Sequence, residues 1–254
     1  MLRPHSDLQP FLDRLTSRSV LTQQEQQAIL DLPRHAEQVR SNHDFVKLGE
    51  RVQHSSMVVD GIVGGFGQSS NGARQITSFF FPGDMADLQS VVQPSPTTAL
   101  QALSVATIVK IPHAALRAVA ARYPAVAAAF WRDCMVDTAV LAQWVVNIGR
   151  RDARARIAHL LCEAAVRLKA APAKGDVVFP FAVTQSQIAD ATGLTSVHVN
   201  RTIMSLRNDR LVTIRGHTVW IHDWDALTEV ADFDPEYLQI DMKPEQRIRI
   251  AEAC

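Results

Sequence analysis

The sequence predicts an α+β protein: an N-terminal β-roll (jelly-roll-like), a long dimerisation helix, and a C-terminal winged helix-turn-helix. Three observations carry this. Seven of the 11 glycines (Gly49, Gly61, Gly64, Gly65, Gly67, Gly72, Gly83) lie between residues 49 and 83, separated by short β-prone runs. Residues 125–148 contain neither glycine nor proline. Residues 184–207 read TQSQIADATGLTSVHVNRTIMSLR, two short amphipathic helices about a single glycine.

The β-roll comes first. Met57–Val59, Ile62–Val63 and Gln75–Phe81 are β-prone, and Asn71-Gly72 is a tight-turn signal between two such runs. Ala99–Ile111 is a further strand-rich run, ended by Pro112. Frequent turns between short strands fit a compact roll or barrel.

The long helix starts at Pro124, where a missing N–H costs nothing in a first turn. Ala127, Phe130, Cys134, Asp137, Leu141, Trp144 and Ile148 repeat at three- and four-residue intervals, a heptad seam with one polar interruption. Trp131, Met135, Thr138, Ala142 and Val145 form a second stripe. Two stripes call for two partners: the chain's own β domain and a second copy of the chain. The seam is assigned to the dimer interface; a single long core helix in a monomer is the alternative. Gly149-Arg150-Arg151-Asp152 breaks the helix. A second amphipathic helix follows, with Ile157, Leu160, Leu161, Ala164 and Leu168 on one face, closed by Pro172 and Gly175; Val177–Phe181 is then a short strand.

Thr184-x-x-Gln187 is a capping box that starts a helix burying Ile188 and Ala189. Gly193 ends it through a left-handed turn, and Thr195 or Ser196 caps a helix that buries Val199, Ile203 and Leu206. This is a helix-turn-helix, whose second helix enters the DNA major groove. Ser196, Val197, Asn200 and Arg201 are the candidate base-contacting residues, because Asn and Arg pair bidentately with adenine and guanine edges. Thr184, Ser186, His198, Arg207, Arg215 and His217 are the candidate phosphate contacts. The last two sit at Arg215-Gly216-His217, the tip of a hairpin or wing formed by Leu211–Ile214 and Thr218–Ile221.

Composition sets the outer bounds. With 254 residues, 47% apolar and 20% charged, the chain is an ordinary globular protein, not a disordered or fibrous one. Lys110, Arg117 and Arg122 interrupt the most apolar region, so no membrane span is expected. The start, MLRPHSDLQP, has no apolar secretory core. Three scattered cysteines, Cys134, Cys162 and Cys254, suit a reducing, cytoplasmic compartment; Cys254 reads as a free thiol, and no Cys-x-x-Cys pair announces a metal. The sequence lacks Gly-x-Ser-x-Gly, P-loop and His-Glu-x-x-His motifs, so no enzyme is expected. Charge is uneven: residues 1–150 hold 13 basic and 12 acidic side chains, residues 151–222 hold 10 and 5, and residues 223–254 hold 3 and 9. A basic segment at +5 before an acidic tail at −6 fits a polyanion partner.

The order of parts resembles the Crp/Fnr family of bacterial transcription regulators. The resemblance rests on Val58-Val59-Asp60-Gly61-Ile62-Val63, Phe81-Pro82-Gly83-Asp84-Met85, Asn147-Ile148-Gly149-Arg150-Arg151-Asp152-Ala153 and the 184–207 helix pair. It implies a cyclic-nucleotide-binding-like sensor domain over 1–122, a dimerisation helix over 123–149, a DNA-binding domain over 150–223 and an acidic extension over 224–254. It implies a homodimer on a palindromic double-stranded DNA site, with RNA polymerase as a further partner. An effector pocket would involve Gly83, Asp84, Met85, Thr97 and Thr98.

Three departures narrow this. Residues 93–99, QPSPTTA, hold no Arg or Lys to meet a cyclic phosphate, so cyclic AMP is not expected. No cysteine precedes Cys134, so no iron–sulfur cluster is expected; His54 is a lone histidine, so neither is haem. Arg201 matches the family arginine, while Val197 stands at the family's glutamate, which predicts an altered half-site. Valine packs on a thymine methyl and cannot accept from cytosine. The competing reading is a ligand-binding module whose helical domain contacts a protein.

Overall fold

A computed structural model describes residues 7–171, 176–240 and 242–249. Cys254, and the Pro172–Gly175 helix stop, lie outside the described residues. In chain order the elements are α1 (Gln9–Thr16), α2 (Gln23–Leu30), β1 (His35–Val39), β2 (His43–Val46), β3 (His54–Asp60), β4 (Val63–Gln68), β5 (Arg74–Phe80), β6 (Ala99–Ala102), β7 (Ala106–Pro112) and α3 (His113–Arg122). There follow α4 (Pro124–Arg150), α5 (Ala153–Arg167), β8 (Val177–Pro180), α6 (Gln185–Thr192), α7 (Ser196–Asn208), β9 (Val212–Arg215), β10 (Thr218–Ile221) and α8 (Trp224–Ala231). Two compact units result: one of residues 1–63, 80–138 and 239–254, the other of residues 64–79 and 139–238.

In the first unit β3, β7 and β1 form an antiparallel sheet with β7 central, and β2 pairs antiparallel with β6. Successive residues of a strand face opposite ways, and both faces of β7 are buried. Ala106 and Ile108 join a core with Val39, Val58 and Leu100, while Val109 and Ile111 join one with Phe11, Met57, Met85 and Phe130. That two-sided burial explains the near-continuous apolar run.

The strand-rich run over 99–111 forms two strands, β6 and β7, separated at residues 103–105. There Leu103 N donates to Ile62 O at 2.8 Å, and Ile62 N donates to Ser104 Oγ at 2.9 Å. Gly61 permits this approach. Its φ is +84°, and a Cβ there would sit 2.4 Å from Val105 O. The helix α1 buries Leu8, Phe11, Leu12 and Leu15 at the i, i+3, i+4, i+7 spacing of one helical face. Here α2 is set by a Thr22–Glu25 capping box.

An ion network closes this unit. Arg14 Nε donates to Asp133 Oδ1 at 2.6 Å, Nη2 to Asp137 Oδ1 at 2.8 Å, and Nη1 to Asp84 Oδ1. Arg18 Nη1 adds a second bond to Asp133 Oδ1 at 2.8 Å. Burial opposes the Arg14 charge, but Asp133, Asp84 and Asp137 outweigh it and hold its pKa above the ordinary value. Burial, with Arg14 beside it, lowers Arg18 to about 10.

The acidic extension divides between the units. α8, capped by Asp223, packs Leu227 and Ala231 against α5. Farther on, Arg249 donates from Nη1 and Nη2 to Glu25 at 2.8 and 3.0 Å, and Ile248 bridges Ser19 in parallel.

The long helix runs through Gly149 to Arg150, one residue past its expected end. Its seam requires correction. Phe130 is buried in the core with Phe11, and Asp137 is held by Arg14. Trp144 is buried too: its Nε1 donates to Glu163 Oε2 at 3.0 Å and its ring meets Phe79 edge-on at 5.3 Å. Ala127, Cys134 and Ile148 are half-buried, leaving Leu141 exposed. The reason is packing: the bulkiest seam side chains fill gaps within their own units. The open face is the second stripe, with Trp131 75%, Met135 62% and Val145 65% exposed.

Candidate nucleic-acid interface

The second unit carries the site. Thr184 Oγ1 accepts from Gln187 N at 3.2 Å while Gln187 Oε1 accepts from Thr184 N at 2.8 Å, the reciprocal pair expected from the sequence. Gly193 then turns left-handed at φ +66°, and its absent Cβ would meet Ile148 at an ordinary 3.5 Å. Conformation, not crowding, therefore calls for glycine here. Thr195 caps α7, its Oγ1 accepting from His198 N at 3.2 Å. Ile188 and Ala189 of α6 and Val199, Ile203 and Leu206 of α7 are buried.

That burial fixes which face of α7 is left open. Ser196, Val197, Asn200 and Arg201 are all exposed, as are His198 and Arg207. Thr184 and Ser186, at the start of α6, are exposed as well. Asn200 Nδ2 donates to Gln185 Oε1 at 3.2 Å, which places the start of α6 beside the middle of α7.

β8, β10 and β9 form a small antiparallel sheet with β10 central. The β9–β10 turn has both central residues left-handed, Gly216 at φ +55° and His217 at +63°. It leaves Arg215 and His217 exposed at the tip. Strand β8 is anchored by Phe179 and Phe181, whose rings lie 6.1 Å apart.

Several positioning residues carry no motif and were not found from sequence. Arg154 donates to Ser205 Oγ at 2.8 Å and pairs with Asp209 Oδ2 at 2.5 Å, tying α5 to the exposed side of α7. Arg156 Nη1 donates to Thr192 O at 3.1 Å and holds the end of α6. Gln75 of β5 donates to Asp190 O at 2.6 Å, which puts that hairpin in the helix-turn-helix unit. Gln185 lies between two nominated residues, and its position alone was the available signal.

The nominated effector residues have a different setting. Gly83, Asp84 and Met85 are buried, and Gly83 sits against Pro10 of α1, where a Cβ would come within 3.1 Å. Asp84 Oδ2 accepts from Phe81 N at 2.8 Å and Oδ1 accepts from Arg14. The turn is thus closed by α1, not open to a ligand at these atoms. Thr97 is exposed and Thr98 half-buried.

Beside this turn lies buried Asp87. Its Oδ1 accepts from Ser56 N at 2.5 Å, and burial pushes its carboxyl up to about 7 against that hydrogen bond. Ser90 Oγ bonds both Ser55 Oγ at 3.2 Å and His113 Nε2 at 2.8 Å. Among the described residues no group of three His, Cys, Asp or Glu side chains is placed to hold a metal ion, and no helix is long and apolar enough to cross a membrane.

Comparison with known proteins matches residues 155–230 to the family described as Crp-like helix-turn-helix domain, and residues 36–123 to that of the cyclic nucleotide-binding domain. The regulatory protein HlyX of Actinobacillus pleuropneumoniae is 22% identical over 75% of this chain and 79% of its own. The nitrogen fixation regulation protein FixK of Azorhizobium caulinodans is 26% identical over 67% of this chain and 68% of its own. The structure of FixK2 from Bradyrhizobium japonicum superposes with a TM-score of 0.71 at 24% identity, over 78% of this chain and 98% of that one.

Proposed function

The chain belongs to the Crp/Fnr family of transcription regulators, and from that premise we propose that it binds a palindromic DNA site as a homodimer, with α7 as its reading helix. The observation that carries the proposal is the exposure of Ser196, Val197, Asn200 and Arg201 on α7. Arg201 reads a guanine, and Val197 packs on a thymine methyl where relatives in the family would present glutamate. Thr184, Ser186, His198, Arg207, Arg215 and His217 meet phosphates and set the register.

Two copies associate through the stripe of Trp131, Met135, Thr138, Ala142 and Val145, which places two reading helices about one DNA turn apart. The β-roll works without cyclic AMP. Two observations support this: the absence of Arg or Lys at 93–99, and the Arg14 contact that already occupies Asp84. The protein is cytoplasmic, is not an enzyme, and contacts RNA polymerase at its promoter.

The test is fluorescence anisotropy of the purified protein, without added effector, against DNA enriched from a randomised pool at two salt concentrations. A palindrome bound with a steep salt slope is expected. Affinity insensitive to both sequence and salt would overturn the reading in favour of a module that contacts a protein.

A further inference from the structure

We propose that Gln185 is a positioning residue for base readout: it holds the Asn200 amide so that Asn200 selects adenine in the half-site. The inference rests on the DNA-binding reading above and names one specificity within it.

Asn200 is exposed, and an exposed asparagine turns freely about its terminal torsion. Its amide then offers two donor hydrogens and an acceptor oxygen in no fixed order. Such a group tolerates guanine, with two acceptors in the major groove, as well as adenine, with one acceptor and one donor. The contact with Gln185 removes that freedom. Asn200 Nδ2 donates one hydrogen to Gln185 Oε1 at 3.2 Å, leaving one hydrogen and Oδ1. One donor beside one acceptor complements N7 and N6 of adenine. Against guanine it sets Oδ1 facing an acceptor, with no donor to satisfy it.

Gln185 is well placed for this. It is the first residue of α6, directly after the Thr184 cap, and the buried faces of α6 and α7 hold the two backbones in register. Water competes for the pair on the free surface. Once DNA covers it, an amide that left Gln185 would carry an unsatisfied buried group, so the constraint tightens in the complex.

The test uses the full-length protein and the DNA that the parent enriches. Competition anisotropy is run with each of the four base pairs at every half-site position, for the parent and for Gln185→Ala, Gln185→Glu, Asn200→Ala and the double alanine variant. The parent should prefer A·T at one position by about 5- to 150-fold. Asn200→Ala should abolish that preference, and Gln185→Ala should lower it at the same position only. The double variant should be no less selective than Asn200→Ala alone. Glutamate keeps the accepting oxygen, so Gln185→Glu should retain the preference while its charge weakens binding to all sequences alike. A merely structural role would lower affinity without moving one base preference. A Gln185→Ala variant that leaves every preference intact, or changes one where Asn200→Ala has no effect, overturns the proposal alone. A parent without sequence selectivity overturns the DNA reading and this proposal together.

Discussion

Arg201 stands exposed on α7 beside Asn200, with Val199 and Ile203 burying the opposite face. A bidentate contact from its guanidinium to a guanine is worth about 1–3 kcal/mol of discrimination. Arg201→Ala should therefore lose about 1–3 kcal/mol of affinity and relax specificity at one base pair, measured by anisotropy on the selected site. Unchanged affinity would mean that another face reads the bases. Asp87 makes a different prediction. Burial raises its carboxyl from 3.8 to about 7, while Lys110 and the Ser56 N–H pull it down. Between those values the folded chain holds a proton that the unfolded chain has released. Stability contributed by this group is greatest at the acid end, falls as pH rises through the window, and levels off above about 7. Asp87→Asn keeps an acceptor for Ser56 N–H and removes the titration. Urea midpoints from about pH 4 to about pH 8 should lose that part of their slope; equal slopes in parent and variant would assign the titration elsewhere.

Two turns show how elements are forced into place for different reasons. Gly193 needs only its left-handed φ, because a Cβ there meets nothing nearer than 3.5 Å. Gly193→Ala should cost about 1–2 kcal/mol, the ordinary penalty of that conformation. Gly61 needs its φ and also the space, since a Cβ would lie 2.4 Å from Val105 O and 2.8 Å from Ala106 Cα. Gly61→Ala should lower the melting temperature more than Gly193→Ala, because it separates the 61–62 turn from the 103–105 corner. Equal shifts would mean that this close approach gives way at little cost. The wing follows the same logic. Its two left-handed residues match the twist of a tight antiparallel hairpin, so the cationic tip projects from a defined turn.

The long helix α4 carries exposed apolar side chains. Trp131, Met135 and Val145 are each more than half exposed on α4. Exposed apolar side chains at helical spacing, as at Trp131 and Met135, mark an interaction surface. Met135→Glu combined with Val145→Glu should convert a dimer to a monomer in sedimentation velocity while leaving the helical circular dichroism unchanged. A parent that sediments as a monomer would refute the assembly. Phe130→Glu is the contrasting substitution: it should unfold the first unit, because its side chain lies in a core already filled by Phe11 and Met85.

Much of this was legible residue by residue. The Thr184–Gln187 capping box, the Gly193 turn, a cap at Thr195 or Ser196, the wing and the start of α4 at Pro124 depend on local backbone chemistry, which a sequence states directly. The open face of α7 was legible for the same reason: buried residues at helical spacing leave only one remaining side. Which stripe of α4 faces inward was not, because both are apolar, and only the neighbours available to each position decide between them. The break at 103–105 depends on Gly61, some forty residues away. Asp84 pairs with Arg14 from a distant segment, and Asn200 donates to Gln185 across a turn. Local propensity and periodicity act over a few residues and were readable. Choices among equivalent faces, and the pairing of single charges and amides, are set by contacts between segments distant in sequence, and only the folded chain makes them.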